Sequence, residues 1–397
     1  MYSKAFIPYR GYYSSPFARW QGSLQHENSI ELGAATAKRW LTAKGLNAGI
    51  FEYLFLGKTI GQLHSFYAAP WAAALLGAGH IAGCHVPQAC STSTTCIGQA
   101  AAGLETGLYE NVFCLMTDRA SNGPFTVWPN PPGPGGSVIT ENWMMDNFAA
   151  DPWGGVAMIQ TAENVVQKAG GITKADCDAL TVRRYEQYQD ALAGGRAFQK
   201  RYLFGVEYRK DKKETGLLDA DEGVYPTTRE GLARLKPVVE GGVHSFGTQT
   251  HPADGNCGVI LCTREKAREL GAGQGVEIQV VSYGYARAPK AHMAEAPVPA
   301  AAMALRKAGI GIKDVKAVKT HNPFAANDLY FAHEMDIDPM SMNNYGCSLV
   351  YGHPQGPTGG RAVIEMIEEL VLLGGGWGLF TGCAAGDTGA ALVVKVS

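Results

Sequence analysis

Apolar residues along this chain fall into two alternating spacings. From Glu31 to Ala43 they recur every three to four positions, which predicts a helix; Tyr53 to Leu56 is a short apolar strand, and Trp71 to Gly79 is helical again. An apolar turn at His85 to Ala89 leads into a helical run from Cys96 to Glu105 and the strand Val112 to Met116. The first part of the chain is thus βα alternation. From Arg119 to Val243 the texture changes to Pro/Gly-rich loops such as WPNPPGPGG, with helical segments at Ala162 to Lys168 and Lys174 to Leu192, and this stretch reads as an insertion. Beyond Gly247 the alternation returns: a strand at Val276 to Ser282, a helix at Pro299 to Ala308, and a strand at Val315 to Thr320. A helix after Gly359 and a closing strand pair, Gly376 to Gly382 and Ala390 to Val396, complete it.

The order of elements repeats. QACSTSTTCIGQAAAGLETG and YGHPQGPTGGRAVIEMIEEL each read as a turn with a reactive side chain, a small-residue stretch, then an amphipathic helix. Two equivalent halves would place Cys90 and His353 in corresponding positions, meeting at their helix N-termini. Texture alone leaves the duplication open. The expected division is a nucleophile-bearing half at 1–118 with 244–265, a loop domain for substrate and CoA at 119–243, and a second half at 266–397.

Composition narrows the partners. The 397 residues, 46% hydrophobic, suffice for two or three domain-sized units with substantial cores. With 34 basic against 36 acidic residues the formal charge is −2, which supplies no field favouring nucleic acid or an anionic membrane. The start, MYSKAFIPYRGYYSSPF, lacks the apolar core of a signal peptide, and no stretch nears the roughly 20 apolar residues of a membrane span. A cytoplasmic protein without membrane insertion is expected. The nine cysteines are scattered and form no CxxC pair, which argues against a disulfide framework and against a metal site.

Four segments carry candidate chemistry. Cys90 precedes STST and a helix, where backbone N–H groups and the helix dipole would stabilise a thiolate; a small core thiol at a strand-to-helix junction fits the same pattern. His353 lies in YGHPQGPTGG, where glycines allow close backbone approach and Pro354 fixes the turn, as a general base requires and as a structural histidine also permits. Cys383, in GCAAGDTGA, sits at a small-residue turn with room for a ligand, or is a core thiol at a hairpin. His321 opens HNPFAAND at a strand end, as a functional residue or as a satisfied helix-capping one.

Together these segments resemble the thiolase superfamily, in order and approximate spacing, over essentially the whole chain. SPFARWQGSL matches the family's TPFGRFxGSL-like start, Cys90-Ser91-Thr92-Ser93 its CxSG nucleophile motif, and AMIQTAENVV its MGxTAENVA segment. GHPxGxTG is complete from Gly352 to Gly359, and the terminal CxGGGxG is reduced to CAAGDTG, keeping Cys383 and Gly389. The resemblance implies an α/β fold, the duplicated five-layered αβαβα thiolase architecture with an inserted loop domain. It implies an acyltransferase that cleaves a 3-oxoacyl-CoA, or runs the reverse Claisen condensation, through an acyl group on Cys90. His353 would be its base, Cys383 the acid/base at the substrate's α-carbon, and His321 an oxyanion support in the place many thiolases fill with the Asn of an NEAF motif. The amides of Cys90 and Ala385 would form the second oxyanion site. Coenzyme A enters as co-substrate, with no permanently bound cofactor, and at least a homodimer is implied, a tetramer remaining open.

Histidine at position 321 resembles the HDCF branch of the family, some of whose members work with a small zinc-ribbon/OB-type subunit. An alternative is therefore a chain specialised for a bulky or aromatic 3-oxoacyl-CoA, such as benzoylsuccinyl-CoA, with an acyl pocket drawn from Phe66, Tyr67, Trp71, Phe125, Trp128 and Trp143. The family's Ser/Gly-rich pantetheine segment is replaced by THPADGNCG, with Ala253 near the place of the serine, and RKDKKE at Arg209 to Glu214 is either a CoA-phosphate cluster or a solvated loop. Cys383 speaks against a ketoacyl-ACP synthase. A non-catalytic acyl-CoA or lipid carrier on the same fold is the reading from another class.

Overall fold

The computed structural model describes residues 1–211, 214–271, 275–321 and 323–397. Its main strands are β1 (Phe6–Ile7), β2 (Tyr53–Gly57), β3 (Ala82–Val86), β4 (Asn111–Arg119), β5 (Ala253–Cys262), β6 (Ile278–Arg287), β7 (Val315–His321), β8 (Gly376–Ala384) and β9 (Thr388–Val396). They lie in the spatial order β7-β8-β9-β6-β1-β5-β4-β2-β3. The longer helices are α1 (Ser29–Ala43), α2 (Ala68–Leu76), α3 (Thr92–Glu105), α4 (Met158–Ala169), α5 (Lys174–Arg196), α6 (Pro297–Ala308), α7 (Ala325–Met335) and α8 (Gly356–Leu372).

Strand pairing exposes the duplication. β2 runs parallel to β4, β4 antiparallel to β5, and β5 antiparallel to the N-terminal strand Tyr12–Ser14. In the second half β7 runs parallel to β8, β8 antiparallel to β9, and β9 antiparallel to β6. The short β1 joins the halves, Phe6 pairing with Cys262 on one side and Gln279 on the other. α3 precedes β4 as α8 precedes β8, so Cys90 and His353 stand at equivalent points. The halves differ in one connection: β8 returns to β9 through a turn at residues 385–387, whereas β4 reaches β5 only after residues 120–252.

α3 and α8 pack on each other and on strands of both halves; α1 and α2 cover the outer face of the first, α6 and α7 that of the second. The result is five layers, αβαβα. α1 and α2 bury Ile30, Trp40, Leu41 and Leu76 against Leu54, Leu56, Phe113 and Leu115 of the first half-sheet. The middle layer buries Ile97, Ala101, Val363 and Ile367, and the far layer Ala300, Ala304 and Phe331.

α8 is buried all round from Gly356 to Leu370, so its polar residues need partners on every side. Arg361 meets Asp221 with two bonds of 2.6 and 2.9 Å and Glu365 at 3.0 Å. Tyr202 and Tyr351 donate to Glu365, and Tyr12 and Arg201 to Glu368. Asp221 belongs to the inserted stretch, so this knot ties the insertion to the central helix. A Cβ at Gly360 would strike Cys257 and lie 3.1 Å from Ser93 Oγ, which is why glycine stands where α8 meets the start of α3.

Several element boundaries differ from the sequence reading, three of them at or just before the starts of the central helices; away from these, the strand read at Val276 to Ser282 runs Ile278–Arg287 and the helix read at Ala162 begins at Met158. The stretch read as a turn at His85 begins as the edge strand β3, whose short AGCHV pattern carries little alternation, and then becomes a 3₁₀ turn at Ala89–Ser91. α3 begins at Thr92, not Cys96, because burial of the Ser/Thr run between the half-sheets overrides its weak helix propensity. α8 begins at Gly356 with Pro357 in its first turn, where the missing N–H costs nothing.

Candidate active site

The turn Ala89–Ser91 delivers Cys90 to the N-terminus of α3, with Ala89 in the left-handed region at φ 46°. Thr92 Oγ1 donates to the Ala89 carbonyl at 2.7 Å and so fixes this turn from inside the helix. Ser93 Oγ donates to the Gly356 carbonyl, tying the two helix starts together. Behind them the buried carboxylate of Asp118 accepts the N–H groups of Thr59, Ile60 and Gly356 at 3.0, 2.8 and 2.8 Å. Burial pushes the Asp118 carboxyl up to about 7 against the opposing pull of these amides and of Lys58.

Cys90 Sγ lies 3.1 Å from His353 Nε2. His353 Nδ1 lies 2.6 Å from Thr358 Oγ1, and its backbone N–H donates to the His251 carbonyl at 2.8 Å, so ring and main chain are both held. With Nδ1–H donated to Thr358, the Nε2 lone pair faces the thiol. Burial pushes the Cys90 thiol up to about 12, opposed by the backbone N–H groups of Ala385 and of Cys90 itself, which stabilise the thiolate. Burial, then the neighbouring His321, hold the His353 imidazole well below its ordinary range. The resting pair is therefore neutral thiol and neutral imidazole.

His321 ends β7 and lies against His353, with Nδ1 3.0 Å from Ser348 Oγ. Its Nε2 is buried with no hydrogen-bond partner among the described residues, and burial pulls its pKa down to about 3. Cys90, His321 and His353 bring a sulfur and two ring nitrogens within 4.8 Å of one another. The two rings are stacked, so their in-plane lone pairs run side by side instead of converging as tetrahedral metal ligation requires.

These residues sit at a cavity of about 690 Å³, whose lining includes Cys90, His353 and Ala385 but not His321 or Cys383. Cys383 is buried beside Phe324, Met293 and Ala162, and its sulfur accepts a 3.4 Å hydrogen bond from Asn327 Nδ2. Burial, reinforced by Cys90, raises its pKa. Of the residues named from sequence, Cys90, His353 and Ala385 thus meet in the open, His321 stands behind His353, and Cys383 lies under the wall.

Other parts of the site escaped the sequence. Gln355, the variable residue of GHPxGxTG, is 4% exposed, lines the cavity, and accepts the Cys90 S–H on Oε1 at 3.3 Å. The TAENV segment does not reach the chemistry through its acid: Glu163 accepts the amides of Val243 and His244 and pairs with the His244 ring at 2.9 Å, holding the loop that leads to the cavity wall.

The expected aromatic pocket is corrected. Of its six residues only Trp143 lines the cavity; Phe66 is 100% exposed, Tyr67, Phe125 and Trp128 are also exposed, and Trp71 packs into the outer core. The walls come instead from Trp20, Phe148, Phe246, Phe324 and the methionines 144, 145, 158 and 293. On the THPADG segment, Gln249, Thr250, His251 and Pro252 face the cavity while Ala253 is buried at the start of β5. In RKDKKE, Lys212 and Lys213 lie outside the described residues, and Lys210 pairs with Glu214 at 2.6 Å away from the cavity lining.

Comparison with known proteins agrees with this architecture. Residues 11–265 match the N-terminal domain of thiolase and residues 275–396 the C-terminal domain. The chain is 28% identical over 386 residues to an acetyl-CoA acetyltransferase of Pseudomonas aeruginosa, covering 94% of this chain and 95% of that one. It is 30% identical over 317 residues to peroxisomal 3-ketoacyl-CoA thiolase A of Rattus norvegicus, covering 78% and 70%. The crystal structure of Bacillus anthracis acetyl-CoA acetyltransferase shares the fold with a TM-score of 0.91 at 24% identity, over 100% of this chain and 99% of that one. With both domains matched in order and the αβαβα duplication in place, the chain belongs to the thiolase family of acyltransferases, which use coenzyme A as co-substrate.

Proposed function

We propose that this thiolase cleaves a 3-oxoacyl-CoA with CoA, or condenses in reverse, through an acyl group carried on Cys90. The observation that carries the reading is the 3.1 Å contact of Cys90 Sγ with His353 Nε2, at a cavity where the amides of Cys90 and Ala385 face the same sulfur. His353 takes the thiol proton and the sulfur attacks the 3-oxo carbon; the C2–C3 bond breaks, and the departing enolate is protonated by Cys383. The Cys383 thiolate then takes the proton of incoming CoA–SH, CoA sulfur attacks the thioester, and the imidazolium returns its proton to Cys90. The Cys90 and Ala385 amides stabilise the tetrahedral oxyanion, and His321 with His353 the thioester enolate oxygen. Cys383 lies directly beneath Phe324 and Met293, which line the cavity. The test is intact-mass detection of an acyl adduct on Cys90 after exposure to acyl-CoAs, together with a thiolysis assay. A protein that binds acyl-CoA but shows neither the Cys90 adduct nor thiolysis would instead be a non-catalytic acyl-CoA or lipid carrier or scaffold.

Further proposals accompany this one. The nine cysteines are free, which favours a reducing, cytoplasmic location. The division into 1–118 with 244–265, 119–243 and 266–397 is supported by the equivalent strand pairings on either side. The outer edge of β3 is unpaired among the described strands and lies near exposed Leu63, Phe66 and Leu75, which supports a homodimer through the nucleophile-bearing half. A second reading, a bulky or aromatic acyl group handled with a zinc-ribbon/OB-type subunit, draws support from the four flexible methionines of the cavity and the exposed apolar hairpin formed by Phe125–Pro129 and Val138–Asn142. Full thiolysis of acetoacetyl-CoA by the isolated homo-oligomer would remove it.

A further inference from the structure

Transferring the Cys90 proton to His353 creates a thiolate and an imidazolium in a site that favours neither. His353 is buried and Cys90 half-buried at the cavity, and their ordinary ionisations are pushed apart: the thiol upward, the imidazole downward. Among the described residues His353 has no carboxylate to support its charged form; Nδ1 meets only the hydroxyl of Thr358, and the neighbouring ring is His321, whose own positive charge would oppose it. His251, the third nearby histidine, acts in the same opposing direction. A buried charge in this position needs a dipole directed at it.

Gln355 supplies one. Its side-chain carbonyl lies 3.3 Å from Cys90 Sγ, which itself lies 3.1 Å from His353 Nε2, and the Gln355 side chain acts on His353 in the sense that favours protonation. The residue stands at φ 62°, ψ −102°, a conformation an ordinary side chain rarely adopts, and it is 4% exposed. The turn is fixed on both sides: the Gly356 N–H donates to Asp118, and the Gln355 carbonyl accepts the Thr358 N–H at 3.2 Å. Strain held this firmly at a reacting atom is the signature of a functional constraint. An apolar side chain of the same length would fill the space without imposing a hydrogen-bond geometry.

We propose that Gln355 is a further catalytic residue, whose side-chain carbonyl passes from the Cys90 S–H to the Nε2–H of protonated His353 as the thiol ionises. The S–H bond breaks with its electron pair left on sulfur, the proton forms the Nε2–H bond, and Gln355 Oε1 accepts that bond until the enolate oxygen forms and takes its place. No oxidant or further reactant is required. When the acyl group leaves Cys90, the proton returns to sulfur and Oε1 accepts the S–H again. The inference rests on Cys90 as nucleophile and His353 as its base.

The experiment compares wild type with Gln355→Leu and Gln355→Met, two variants that keep volume and remove the acceptor, and uses Gln355→Glu as a charged acceptor. The expected result is a fall of about 10- to 100-fold in the acylation rate of both apolar variants, with the KM for acyl-CoA within about twofold. The pH midpoint of Cys90 alkylation by iodoacetamide should rise by about one unit in both. In Gln355→Glu the His353 titration should move to higher pH, since a carboxylate supports the imidazolium more strongly. An unchanged alkylation profile in both apolar variants, or a raised KM at unchanged kcat, would reduce Gln355 to a wall residue and overturn the proposal. Thermal melting of each variant separates misfolding from lost chemistry. His353→Ala is run alongside: wild-type acylation in that variant would refute the underlying base assignment, whereas its loss with normal Gln355 variants would refute only the present inference.

Discussion

The imidazoles of His321 and His353 lie face to face, their ring centroids 4.1 Å apart and their planes 28° from parallel. Two rings at that separation do not both carry charge, because like charges so close in a buried site repel strongly. Burial holds both rings low, and it is His353 whose Nε2 faces the thiol at 3.1 Å, so His321 is the ring left neutral when a proton moves. Its orphaned Nε2 is the atom available to support an oxyanion, while His353 works against the thiol.

His321→Ala should accordingly separate two measurements. Iodoacetamide alkylation of Cys90 near neutral pH should stay within about threefold of wild type, whereas thiolysis kcat should fall about 10²- to 10³-fold with one oxyanion donor gone. Equal loss of both would recast His321 as part of the base system.

The two cysteines should differ in kind. Cys90→Ser should carry no trapped acyl group and show no turnover, since a serine hydroxyl is far harder to ionise. Cys383→Ala should still be acylated by a simple acyl-CoA while thiolysis falls roughly 10²- to 10⁴-fold, so the adduct accumulates. Intact-mass spectrometry after quenching decides it: an adduct on Cys90→Ser, or none on Cys383→Ala, contradicts the assigned roles.

Stability should depend on pH through two buried groups of opposite sign. The folded pKa of Asp118, about 7, lies above its unfolded value of about 3.9, so its contribution is full below that unfolded value and is lost as pH rises through 7. The gap in Tm between wild type and Asp118→Asn should therefore shrink as pH goes from 4 to 7, by the equivalent of on the order of a few kcal/mol. His321 is depressed from about 6.5 to about 3, so its contribution is present above 6.5 and lost as pH falls through 3. Against His321→Asn, the wild-type advantage should shrink in the acid direction. Melting curves that move together in both comparisons would contradict the assignment.

Arg361→Met should be among the most destabilising single changes. It leaves Asp221 and Glu365 buried without the cation they share, and breaking such a pair typically costs about 3–5 kcal/mol. Because Asp221 lies in the insertion, limited proteolysis should cut near that segment first. A melting temperature within a degree of wild type would show that the knot does not hold the layers.

Much of this was legible in the chain, for identifiable reasons. Cys90, His321, His353 and Cys383 stand in local patterns, so the turns that carry them can be read from their neighbours. The αβαβα alternation is local as well, in the periods of α1, β4 and α8. Apart from Trp143 the cavity walls are not: Trp20, Phe148, Phe246, Met293 and Phe324 come from five separated segments, and aromatic density along the chain pointed also to Phe66 and Phe125, which the fold turns outward. Gln355 was hidden because its position in the GHPxGxTG pattern accepts any side chain, and only the backbone there sends it toward the thiol. The Arg361 knot was invisible because its partners lie 140 residues apart in one case and 4 in the other.

The unequal connections of the two halves have a consequence for how such a protein can change. The tight β8–β9 turn carries Ala385, whose amide faces the sulfur, and tolerates little variation in length. The long β4–β5 passage carries most of the cavity-lining residues and is moored to the rest of the fold at many points, among them Asp221 to Arg361, Tyr202 to Glu365, Arg184 to Asp328 and Asp151 to the Gly386 N–H. Appetite and chemistry are thus inscribed on different stretches of one polypeptide. Grafting residues 120–252 from a relative, with those moorings kept, should redirect the enzyme to another acyl group while leaving its nucleophile untouched.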